Sequence, residues 1–267
     1  MLRSPARNAI LRPGYDAARR RFIAQLPQVL GTVPIAGFLP HRDDRLTSID
    51  PWSGRVWTAE ATMEGRLFPQ GRGTSLSFNG TSNILTTPDT NDLSFGNGTV
   101  DSAFSVLALA NITNTAAFRV VVSKWNATGS AREWELFLVD TTDAMQFLIR
   151  DESAAVSVAR TSDAAVTQGS FRLFGATYSA ATGGATAGND MTLYQDGVAI
   201  ASTATNSGSY VAMENLGAAG IIGAQNAGAA AFFSGSQPLI VICSGARTAA
   251  QMAGATSLCR LHFGAPL

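Results

Sequence analysis

An Asp-Gly pair at positions 196 and 197 sits between two runs of alternating side chains, and this arrangement restricts the chain more than any other feature. Met191, Leu193 and Gln195 alternate with Thr192 and Tyr194 before the pair, and residues 198–203 resume a strand-like pattern after it. A type I′ turn needs positive φ at both central residues, and Gly has no Cβ to resist it, so a tight hairpin is predicted. Residues 172–178 read as the preceding strand, reached through a Gly/Ala/Thr loop.

The same period of two recurs along the chain. Residues 34–40 read as an opening strand. Leu76 and Phe78 alternate inward before Asn79-Gly80, where a turn and a hairpin are expected. Residues 104–110 and 118–125 are further strands. Trp134, Leu136 and Leu138 share one strand face, residues 140–144 turn, and Met145, Phe147 and Ile149 return. No helical period is long enough to challenge an all-β fold.

At 267 residues the chain suits one β-sandwich with a short appendage, since sandwiches of roughly 200–250 residues are routinely single domains. Six arginines against Asp16 give residues 1–30 a charge of +5, leaving −5 on the remainder of a chain whose net charge is zero. Asp16 caps an expected helix over residues 17–26, stopped by Pro27, with Phe22, Ile23 and Leu26 on one edge and arginines on the other. About ten residues of isolated helix are marginal in water, so this arm is expected to order by docking on another surface. The domain reading is therefore an anchoring arm at 1–30 and a module at 31–267 that folds and stays soluble alone.

Cys243 and Cys259 are too few for a disulfide framework, and a buried free thiol is the simpler reading of Cys243 in its apolar run, with a bridge to Cys259 as the alternative. No stretch approaches 18 uninterrupted apolar residues, which excludes a membrane-spanning helix, and no apolar run near the start suits a secretion signal.

Several landmarks occur in a fixed order: Phe78-Asn79-Gly80, Tyr194-Gln195-Asp196-Gly197, Ile222-Gly223, Phe233-Ser234-Gly235, and the run from Ser244 through Arg247-Thr248-Ala249 to Met252. In that order, over residues 31–252, they resemble the laminin G-like, concanavalin A-like jelly-roll domains. Asn79 departs from the family's usual Asp, and Phe171 stands where Trp is common. The resemblance implies an all-β, antiparallel jelly-roll β-sandwich with a short N-terminal arm or helix, and a binding module rather than an enzyme. Such modules mostly work outside cells. Without an export signal, assembly into a phage-type virion in the host cytoplasm is the expected route out.

Hydrolase relatives carry Glu-x-Asp-x-(x)-Glu on one strand; Glu133-Trp134-Glu135 lacks the third acid and reads as a solvated sheet face, so no catalytic residue is assigned. His41 and His262 sit in no catalytic or metal pattern, and the Gly-rich segments lack a phosphate-binding context. Laminin G-like domains often hold one cation at a loop end, which makes Asp89, Asp92, Asp140 and Asp143 the candidate calcium ligands, with Asx-turns as the alternative reading. Trp125, Asn126 and Tyr210, in predicted loops, are the candidate glycan contacts. Arg3, Arg7, Arg12, Arg19, Arg20, Arg21 and Phe22 form the anchoring set, facing other virion proteins rather than nucleic acid, for which they make no recognition motif. The resulting expectation is a non-enzymatic virion protein, a head or tail decoration, fibre or spike, that carries a lectin-like module toward a cell-surface glycan as a homo-oligomer. A free carbohydrate-binding lectin is the alternative, and a glycoside hydrolase comes third.

Overall fold

A computed structural model describes residues 13–41, 46–60, 62–68, 73–113, 117–228 and 230–264. Arg3, Arg7 and Arg12 lie outside them. Helix α1 (Pro13–Leu30) comes first, followed by short strands β1 (Ala36–Phe38), β2 (Thr47–Ile49), β3 (Val56–Ala59), β4 (Gly65–Leu67), β5 (Thr74–Asn79) and β6 (Leu85–Thr87). The long strands are β7 (Phe104–Ile112), β8 (Arg119–Asn126), β9 (Ala131–Leu138), β10 (Ala144–Asp151), β11 (Val156–Ala165) and β12 (Phe171–Tyr178). After β13 (Met191–Gln195), β14 (Val198–Ala199), β15 (Ser202–Thr205), β16 (Gly220–Ile222) and β17 (Ser234–Ser244), helix α2 (Ala249–Phe263) closes the chain.

The strands make two antiparallel sheets. One has eight strands, ordered β14-β13-β12-β7-β17-β5-β4 with β1 also on β17, and the other nine, ordered β15-β11-β10-β9-β8-β16-β6-β3-β2. Alternation decides which side chains meet between them. Phe104, Val106 and Ala108 from β7 face Trp134 and Leu136 from β9 and Phe147 and Ile149 from β10 in one buried cluster. Phe95 stacks on Phe104 with centroids 3.9 Å apart. The two indoles of this cluster satisfy their donors on backbone, Trp57 Nε1 to Gly37 O at 2.7 Å and Trp134 Nε1 to Leu93 O at 2.9 Å. The expected all-β jelly-roll sandwich is what the sheets form.

A second core lies on the outer face of the eight-stranded sheet. Leu107 and Leu109 of β7, with Leu239, Val241 and Cys243 of β17, are covered by Phe22, Leu26 and Leu30 of α1 and by Met252, Ala255, Cys259 and Phe263 of α2. Helix α2 is bounded by a Thr248/Gln251 capping box and by Gly264 at φ 67°. Both cysteines are free and buried in this layer; burial alone raises the Cys259 thiol, and it pushes Cys243 up to about 12.

Helix α1 corrects two expectations. It continues through Pro27 to Leu30 rather than stopping at Leu26. A proline there deprives the carbonyl four residues earlier of its partner, and Trp52 Nε1, brought in from the β2–β3 connection, donates to that Ile23 carbonyl at 3.0 Å. The helix also belongs to the module. Phe22, expected on a neighbouring subunit, stacks on His262 of its own chain with centroids 4.6 Å apart, and Leu30 O accepts from Arg247 Nη1 and Gln251 Nε2, each at 2.6 Å.

The Asp-Gly hairpin forms as expected, with Asp196 at φ 53°, Gly197 at φ 82°, and Gln195 paired with Val198. The strand after it does not run on: β14 stays in the eight-stranded sheet, while β15 crosses to pair β11 in the other. Asn79-Gly80 likewise closes no hairpin, since β5 and β6 lie in different sheets. Asn79 Oδ1 instead accepts the backbone N–H groups of Thr81, Ser82 and Asn83 at 3.0, 2.9 and 3.0 Å, which turns the chain across the sandwich. No described helix is long and apolar enough to cross a membrane.

Candidate functional site

One end of the sandwich is closed by the segment between β15 and β16, and two aspartates pin it. Asp101 accepts Tyr178 Oη at 2.7 Å, Tyr210 Oη at 2.9 Å and the Met213 N–H at 2.8 Å. Burial raises the Asp101 carboxyl, and both tyrosine hydroxyls are raised first by burial and then by Asp101, so they remain donors. Asp151 accepts the Val211 N–H at 3.0 Å. Tyr210, expected to meet a sugar, is 2% exposed and presents no ring face to one. Trp125 is 9% exposed, with the Arg132 guanidinium 5.9 Å from its ring centroid. Asn126 Oδ1 accepts the Gly129 N–H at 3.2 Å within a turn. These three residues therefore form no exposed platform.

Glu133 and Glu135 are also corrected: expected on a solvated face, they are 0% and 3% exposed. Lys124, the chain's single lysine, is buried beside Glu133 and donates to Glu133 Oε1, to Leu216 O and to Asp89 Oδ1, the last at 2.9 Å. Glu133 also accepts the Leu216 N–H at 2.9 Å. Lys124 thus fastens β8, β9, the segment before β16 and the loop at Asp89 to one another. Burial pushes Glu133 up to about 7 against the pull of Lys124, and pushes Glu135, with no compensating cause, up to about 8.

The Glu135 shift has a definite sign. The folded chain holds a proton on Glu135 that the unfolded chain releases near the ordinary glutamate value, so the contribution of this group to stability falls as pH rises from about 4.5 toward 8. Glu135→Gln is expected to stabilise the fold at pH 8 by about 3 kcal/mol, to change little at pH 5, and to flatten the pH dependence of the melting temperature between them. Equal gains at both pH values, or none, would contradict the assignment.

The four aspartates proposed as calcium ligands have other surroundings. Asp89 meets Lys124. Asp92 accepts Arg55 Nη2 at 2.7 and 2.8 Å, and its carboxyl is lowered by the Thr90 and Arg55 hydrogen bonds, which outweigh burial. Asp140 is exposed in the β9–β10 turn, and Asp143 accepts Gln168 Nε2 at 3.0 Å. Among the described residues, no group of three or more His, Cys, Asp or Glu side chains is placed to hold a metal ion. Of the described arginines in the anchoring set, Arg19 Nη2 donates to Leu39 O at 2.8 Å, while Arg20 and Arg21 are exposed.

The outer face of the eight-stranded sheet changes character between Leu109 and Asn111. On the far side of that boundary the helices give way to a cleft of about 530 Å³, lined by Thr62, Glu64, Arg66, Ser77, Asn83 and Ser236 among others. Its floor is the cross-strand pair of Ser236 on β17 and Ser77 on β5, with Asn79 and Thr113 also in its lining. A sequence signal for this site exists in β5, where Ser75, Ser77 and Asn79 occupy the face opposite Leu76 and Phe78. Nothing in the sequence says which polar strand faces are left uncovered.

A family model described as the concanavalin A-like lectin/glucanases superfamily matches residues 79–253. No curated protein sequence matches the chain. Among solved structures, the botulinum neurotoxin serotype D ligand binding domain in complex with N-acetylneuraminic acid is similar at a TM-score of 0.60 and 9% identity, over 86% of this chain and 52% of that one. The binding domain of Paraclostridial Mosquitocidal Protein 1 follows at 0.58 and 11%, over 87% and 52%. A Trypanosoma rangeli sialidase bound to the inhibitor DANA gives 0.56 and 14%, over 90% and 37%. The chain spans about half or less of each, and at these identities the likeness is one of fold.

Proposed function

Because the chain belongs to the concanavalin A-like lectin/glucanases superfamily, we propose that it recognises a glycan without cleaving it, as a module displayed on a phage-type virion. Its sandwich is a lectin-like, carbohydrate-binding fold, and the burial of Glu133 and Glu135 carries the non-enzymatic half of the reading. Retaining glycosidases need two carboxyl groups about 5 Å apart on either side of the scissile bond. Among the described residues, Glu133 and Glu135 are the same-strand pair at suitable spacing, and both are enclosed, with Glu133 occupied by Lys124. Incubation with neutral oligosaccharides and sialyllactose should release no new reducing ends and no free sialic acid. Release that Glu135→Gln abolishes would make the protein an enzyme.

Attachment is supported by α1, whose exposed Arg20 and Arg21 lie outside the buried edge formed by Phe22, Leu26 and Leu30. A basic helix face of this kind suits an acidic neighbour, and salt should weaken the contact. A mass-spectrometric inventory of purified particles should find the chain in fixed ratio to capsid or tail proteins. A free lectin would be missing from it.

A further inference from the structure

We propose that the cleft on the outer face of the eight-stranded sheet is the glycan site, and that it takes an uncharged saccharide held by hydrogen bonds at its hydroxyl edges rather than by stacking on an aromatic ring. This inference rests on the reading of the chain as a glycan-recognition module and adds to it the place and the class of ligand.

The division of the sheet face is the starting point. Helices α1 and α2 cover the part of the face that carries Leu107, Leu109, Leu239 and Val241, and the cleft opens where Ser77 and Ser236 pair. Among the described residues, the Ser77 and Ser236 hydroxyls make no hydrogen bond within the protein, and neither does Asn83 Nδ2. Each hydroxyl both donates and accepts, which is the capacity that neighbouring sugar hydroxyls require. Their positions are fixed from beneath. The β17 register shifts between Ser236 and Leu239, and the preceding Gly235 has φ 141°, where a Cβ would fall 2.0 Å from Asn111 O. Bulges of this kind re-aim a side chain and recur beside binding sites.

Charge and ring content select the ligand. Among the described lining residues the charged ones are Glu64 and Arg66, 3.8 Å apart, and their opposite charges offset one another rather than favour an anionic sugar. Phe78, the cleft's aromatic residue, is 3% exposed and has its face in the core. The volume falls within the range of small-ligand sites, roughly 300–1,000 Å³.

The test is an NMR titration of the intact chain with maltotriose, triacetylchitotriose and 3′-sialyllactose, repeated on the double variant Ser77→Ala/Ser236→Ala and on Ser236→Trp. At least one neutral trisaccharide should bind, more tightly than sialyllactose. The double variant should bind it about tenfold more weakly, as the loss of two net hydrogen bonds implies, with an unchanged melting temperature, and Ser236→Trp should abolish binding. Unaltered affinity in both variants would place the glycan elsewhere and overturn the cleft while leaving the recognition reading intact. Preference for sialyllactose would overturn the uncharged class. Failure of the wild-type chain to bind any saccharide, in this titration and on a broad glycan panel, would remove the recognition reading itself.

Discussion

Deletion of residues 1–30 is expected to leave a chain that is insoluble or only loosely folded. Helix α1 places Phe22, Leu26 and Leu30 in the second core with almost no exposure, and each such side chain contributes roughly 1.5–3 kcal/mol by leaving water. The three together represent about 6 kcal/mol, against a total stability of about 5–15 kcal/mol for an ordinary domain. The deletion also strips the α1 side chains from the cluster that covers Leu107, Leu109, Leu239 and Val241, leaving α2 as the remaining helix over an apolar sheet face, and the newly exposed apolar surface invites aggregation. Arg247 and Gln251 lose the Leu30 carbonyl that they share, which loosens the start of α2 as well. Soluble yield and thermal melting of residues 31–267 measure the effect. A truncated chain that melts at the temperature of the full-length protein would show that α1 is an appendage after all.

The second large effect is expected at Gly197→Val. A β-branched residue at φ 82° is strained by about 1–3 kcal/mol. The turn also presses on α2: a Cβ at this position would lie 2.6 Å from Ala253 Cα and 2.9 Å from Thr256 Oγ1, so the substitution must push a helix backbone aside. Overpacking of this kind adds roughly 1–3 kcal/mol, for a total of about 4 kcal/mol. Asp196 compounds the loss, because its carboxylate accepts Arg172 Nη1 at 2.7 Å and the Leu173 N–H at 3.0 Å and so ties the turn to β12. Denaturant unfolding of the variant should show this loss. A midpoint equal to wild type would contradict both the turn geometry and its packing on α2.

The strands that could be read in advance are those whose alternation is set by burial on one side. Leu76 and Phe78, Trp134 to Leu138, and Met145 to Ile149 show a period of two because the space between the sheets demands it. β11 was missed for the converse reason: its sequence, VSVARTSDAA, carries little apolar contrast, and it is held by pairing with β10 and β15. The extent of α1 was hidden because the donor that relieves Pro27 is Trp52, a residue from another part of the chain. Glu133 and Glu135 look like solvated residues on their own strand. Leu216 and Asp89, which help enclose or satisfy that region, arrive from distant segments. Tyr210 reads as a loop residue until Asp101 and Tyr178 are placed beside it. The cleft was legible only as a polar strand face, since the helices that leave it open are positioned by the apolar half of the same sheet.

The most direct test of the account is a glycan array of neutral and sialylated oligosaccharides probed with the intact chain, followed by mass spectrometry of the arrayed sugars. The account predicts that protein is retained on a subset of neutral glycans whose masses are unchanged after long incubation. Retention on none of them, or shortened sugars under the bound protein, would contradict it.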